Sequence, residues 1–107
     1  MKSSLLISLL LILGMAFACN TVDPITAAGQ SYQKNQDYLS LKRVMEGLEA
    51  GVDKSRLEEL LGEPIDMGFD YRYLLDSSGP QGCVVGAVFH LDSEGKVDDK
   101  WIGEICE

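Results

Sequence analysis

Three cysteines, one histidine and a run of carboxylates hold most of the reactive side-chain chemistry of this 107-residue chain. Cys83 and Cys106 have no neighbouring ligands at local zinc spacing, and in an oxidising compartment disulfide formation competes for them. His90 follows Phe89, and strand alternation turns it to the opposite face. It therefore reads as a solvated or partner-facing imidazole rather than a general base, with no nucleophile beside it in a recognisable motif. Asp92-x-Glu94 with Asp98-Asp99 gathers four carboxylates near one turn. Calcium favours such oxygen donors, but the spacing is not that of an EF-hand loop, and a solvated acidic turn is expected instead. No catalytic residue, metal site or cofactor is predicted, and the expectation is a protein that is not an enzyme.

Cys19 has a different setting. A basic start, Met1-Lys2-Ser3-Ser4, precedes an apolar stretch of eleven residues, Leu5 to Met15, which suits an export signal and is short of the roughly 20 needed to span a bilayer. Cys19 follows Ala16-Phe17-Ala18 directly. This arrangement is similar to a bacterial lipoprotein signal, which implies cleavage before Cys19 and acylation of its thiol and new amine. Ala16-Phe17-Ala18 is also an A-x-A site for ordinary signal peptidase, which would leave Cys19 free on a secreted or soluble periplasmic protein. Residues 1–18 are thus predicted to be an address, with Cys19 as the lipidation site. Two or more acyl chains hold a protein stably at a membrane where one is marginal.

Beyond residue 18 the chain carries eight Lys or Arg against seventeen Asp or Glu, a formal charge of −9. That balance repels phosphate backbones, which need clustered Lys and Arg, so no nucleic-acid partner is predicted. Residues 19–36 are polar, small and without apolar period, and read as a lipidated N-terminus and flexible tether. Residues 37–107 form the predicted domain. A core of about 70 residues supplies little net stability, so a staple is expected.

Leu41, Val44, Met45 and Leu48 recur at helical spacing, with Asp37 or Ser40 as cap. A second helix opens at Asp53, buries Leu57, Leu60 and Leu61, and stops at Gly62 and Pro64. Tyr71, Tyr73 and Leu75 alternate with Arg72 and Leu74 in a first strand, followed by the turn-rich loop Asp76 to Gly82. Cys83 to Leu91 form a second strand, Asp92 to Gly95 a hairpin turn, and Val97, Trp101 and Ile105 mark a third. The predicted fold class is α+β: two short N-terminal helices packed on a three-stranded antiparallel meander, ααβββ.

If Leu91 pairs near Val97, Cys83 falls opposite residues 104 to 106. A Cys83–Cys106 disulfide is then expected, adding about 3 kcal/mol in the chain-entropy model; two buried free thiols are the alternative.

Gly51-Val52-Asp53-Lys54, then Leu57, Leu60 and Leu61-Gly62-Glu63-Pro64, Tyr71-x-Tyr73, and Val88-Phe89-His90-Leu91-Asp92-Ser93-Glu94-Gly95-Lys96-Val97 resemble the SmpA/OmlA (BamE-like) outer-membrane lipoproteins over residues 36–99. The resemblance implies a lipid-anchored domain in the periplasm at the cell outer membrane. It also implies a protein partner in the cell envelope, with the β-barrel assembly machinery as candidate.

In a three-stranded sheet covered by helices on one side, the other side is open. Tyr71, Tyr73 and Trp101 are the predicted partner-binding residues, as aromatic anchors on that face or its edges. The expected function is a scaffold or adaptor. The alternative is a secreted or anchored inhibitor or binding module of the β-lactamase-inhibitor-like fold, acting on a periplasmic or extracellular enzyme.

Overall fold

The structure is a computed structural model that describes residues 22–107. Residues 1–21, with the predicted signal and Cys19, lie outside the described part. The element order is α1 (Pro24–Asn35), α2 (Tyr38–Gly47), α3 (Lys54–Leu61), β1 (Ile65–Asp66), β2 (Asp70–Ser78), β3 (Val84–Leu91) and β4 (Val97–Glu104). The four strands form one antiparallel sheet in the order β1-β2-β3-β4. The α+β class stands, with one helix and one strand more than the ααβββ expectation.

The extra helix corrects the tether assignment for residues 24–35. Asp23 caps it by accepting from the Thr26 N–H at 2.8 Å. Pro24 occupies the first turn, where its missing N–H removes nothing, and Gln36 ends the helix in a left-handed conformation with φ 51°. Ile25, Ala28, Gly29 and Tyr32 form its inward stripe. The small residues escape a reading based on large apolar side chains, yet they let α1 lie close to α3. A Cβ on Gly29 would stand 2.3 Å from the Leu60 carbonyl oxygen.

The other two helices follow the predicted caps. Asp37 accepts from the Ser40 N–H at 3.0 Å and Asp53 from the Ser55 N–H at 3.2 Å. Leu41, Val44, Leu57, Leu60 and Leu61 are buried against the sheet side formed by Tyr71, Tyr73, Leu75, Ala87, Phe89, Leu91 and Val97. The two short helices have an apolar face to cover and the sheet supplies it. Gly62, at φ 86°, ends α3. β1 then pairs Ile65 with Arg72 and Asp66 with Tyr71, turning back through Gly68 at φ 88°.

The β3–β4 hairpin is held by Asp92. Its Oδ1 accepts from the Glu94 and Lys96 N–H groups at 2.9 Å each, while Gly95 takes φ 77°. The Lys96 and Glu94 amides, Lys96 first, keep the Asp92 carboxyl below its usual range. Leu91 pairs with Val97 but His90 pairs with Asp99, so Asp98 is an extra residue, a β-bulge.

Candidate partner-binding face

The bulge decides which way Trp101 points. Unbroken alternation from Val97 would send residues 99 and 101 inward; the extra residue at Asp98 reverses the phase, so Trp101 stands opposite Val88 on the outer face. Trp101 is 44 % exposed. A cross-strand row runs Ile65, Arg72, Val88, Trp101. Arg72 Nε lies 3.2 Å from Asp70 Oδ1, and its other arm meets the Glu107 carboxylate. These two carboxylates, Glu107 first, hold the guanidinium charged more firmly than usual. Beside the row, Ile65, Met67, Leu74, Val84 and Ile105 line an open groove of about 280 Å³. Ile65, Met67 and Phe69 add exposed apolar surface.

Tyr71 and Tyr73 are not on this face. They are 5 % and 3 % exposed and point toward the helices. The Tyr73 hydroxyl donates to the Gly62 carbonyl at 2.9 Å, and its ring meets Tyr32 and Phe89 edge-on at 6.2 and 6.0 Å. Burial pushes the Tyr73 phenol well above its ordinary value and that of Tyr32 up to about 12. Tyr32 donates to the Leu74 carbonyl at 2.6 Å. Two of the three predicted partner-binding aromatics are therefore core residues, because even spacing from Leu75 puts 71 and 73 on the side the helices cover. Trp101 alone of the three lies open.

His90 is exposed on the same outer face, its Nδ1 2.6 Å from Asp98 Oδ1. The Asp98 carboxylate raises the imidazole above its ordinary value, with Asp70 and Asp99 adding to the effect. Cys83 and Cys106 are joined as a disulfide, with Cα atoms 5.3 Å apart. Glu104 stands near them, but thiols held in a disulfide offer no thiolate to a metal. Glu104 Oε1 instead accepts from the Gln81 and Cys83 N–H groups at 2.7 and 2.9 Å and so ties the loop before β3 to β4.

Among the described residues no helix is long and apolar enough to cross a membrane. Comparisons with protein-family models, curated proteins and solved structures find no match for this chain.

Sequence reasoning missed two parts of this face, β1 and the groove. The signal for β1 is brief: Pro64 followed by Ile65-Asp66 and the turn residue Gly68. Two residues carry no period, and the pairing exists only because β2 is there to receive it.

Proposed function

We propose that this chain is a lipid-anchored, non-enzymatic adaptor of the bacterial cell envelope, held at the outer membrane through Cys19 and presenting its open sheet face to a protein partner. The observation that supports the reading best is Trp101, 44 % exposed on a sheet side that the three helices do not cover. An exposed aromatic among apolar neighbours, rimmed by charges, is the usual make-up of a contact anchor. Cys19 after the Ala-Phe-Ala segment and the likeness to the SmpA/OmlA lipoproteins favour the envelope as the setting. The β-barrel insertion machinery is the first partner to test.

The test is affinity purification of the chain from detergent-solubilised membranes of its host, with mass spectrometry of what accompanies it and of Cys19. Barrel-insertion components, lost on Trp101→Ala while the fold persists, are the expected result. Recovery of one secreted enzyme instead would favour the inhibitor reading, and an unmodified Cys19 would remove the anchor.

A further inference from the structure

The outer face of the sheet is polarised along its strands. On β4, Asp99, Trp101 and Gly103 follow one another on that face, and Ile105 continues the row just past the strand's end, its N–H donating to the Val84 carbonyl at 2.8 Å. Six residues of strand reach about 20 Å. Near the hairpin lie Asp70, Asp98 and Asp99, around His90. At the other end Leu74, Val84 and Ile105 line the open groove, and Trp101 stands between the two ends.

The charges of this face do not cancel. Arg72 is the one Lys or Arg among its described strand residues, and both its arms are taken, by Asp70 and Glu107. The carboxylates of Asp70, Asp98, Asp99 and Glu107 thus meet a single guanidinium, a formal charge of −3 with His90 neutral. Lys100 does not offset them, because its Nζ lies on the helix side, 2.7 Å from the Met45 carbonyl. Internal hydrogen bonds leave the charge in place. Asp99 accepts from the Lys100 N–H at 2.9 Å, but an amide donor satisfies a lone pair without neutralising the carboxylate. His90 reports the same field, since Asp98, Asp70 and Asp99 all raise its imidazole.

The indole is placed to receive a cation. Two carbons of its six-membered ring are 3.8 Å from where a Cβ on Gly103 would stand, so the ring lies along β4 beside the glycine, and 44 % of the residue stays exposed. An indole is the best aromatic acceptor for Lys and Arg, and carboxylates on the same strand add charge-assisted partners.

We propose that the outer face of the sheet takes a basic segment of a protein partner, with Lys or Arg side chains on Trp101 and at Asp98 and Asp99, and apolar side chains in the groove of Ile65, Leu74, Val84 and Ile105. The inference rests on the adaptor reading of this face and names the chemistry of what the face receives. Acidic segments and anionic lipid surfaces are repelled by the same charge.

Trp101 is the only tryptophan of the chain, so its fluorescence reads this site directly. The purified protein, with its disulfide intact, is titrated at low salt with a synthetic peptide that carries arginines at one end and alternating leucines and serines at the other. Two control peptides replace every arginine by glutamine or by glutamate. The expected result is a saturable change with the arginine peptide, about tenfold tighter than with the glutamine peptide, and none with the glutamate peptide. The double variant D98N/D99N should weaken the arginine peptide about tenfold without altering the emission of the free protein, whereas E46Q/E59Q, which removes as much charge from the helices, should leave it within about twofold. Equal affinity for the arginine and glutamine peptides overturns the cation preference but keeps the face as a protein contact. Equal weakening by the two double variants reduces the effect to net charge and overturns the site. Binding of none of the peptides up to about 1 mM overturns the inference; the adaptor reading falls only if partner capture also survives Trp101→Ala.

Discussion

Tyr73 and Trp101 are aromatic residues of one sheet, yet the first is 3 % exposed and the second 44 %. The two sides of the sheet differ in composition, nearly all apolar under the helices and mixed with charges outside, and in what lies over them. On the helix side, three helices close over Phe89, Ala87 and Tyr73, and the Tyr32 and Tyr73 hydroxyls find main-chain acceptors there. On the outer side the polar groups pair among themselves, Arg72 with Asp70 and Glu107 and His90 with Asp98, and leave the indole and the groove uncovered. An aromatic residue therefore says little about binding until its face is known.

The comparison breaks hardest at Phe89, which is fully buried. Phe89→Ala should lower the unfolding free energy by about 3–5 kcal/mol, read by urea titration, since the lost transfer free energy adds to that of the cavity left behind. Next in size is the staple. Reducing Cys83–Cys106, whose partners are 23 residues apart, should cost about 3 kcal/mol in the chain-entropy model. Unchanged stability in reductant would mean that the β3–β4 ladder holds this end of the sheet without it.

A matched pair then sharpens the contrast. Tyr73→Phe removes only a hydroxyl but strands the Gly62 carbonyl, an expected loss of about 1–2 kcal/mol. Trp101→Ala removes a far larger group, yet should change stability by no more than about 0.5 kcal/mol while reducing partner capture. Equal losses at both positions would show that the outer face is packed rather than open. The smallest expected effect is at His90, where Asp98 raises the folded imidazole above its ordinary 6.5. A raised folded value means that the pair stabilises fully below the unfolded value, and the contribution disappears as pH rises through the folded one. A denaturation series from about pH 5 to about pH 8 should therefore show a decline that His90→Gln removes.

The hairpin between β3 and β4 was legible because its signals are local. Asp92 and Gly95 make the turn, Leu91 and Val97 close it, and that register carries Cys83 to Cys106. The caps at Asp37 and Asp53 were legible for the same reason, since a side-chain acceptor within three residues of free N–H groups needs no distant partner. Helix α1 was half legible. Asp23-Pro24 is a start signal and residues 25, 28, 29 and 32 have helical spacing, but Ala28 and Gly29 look like linker residues until Leu60 is found against them.

By itself, then, the sequence determined most helix starts and stops, the turn that opens the β3–β4 hairpin and the approach of its two later cysteines to within a residue or two of one another. All of these depend on a few neighbouring residues or on counting along paired strands. Only the tertiary structure decided which aromatics are buried and which are open. That outcome rests on a single bulge at Asp98 and on which side the helices cover, and neither is written in the alternation of any one strand.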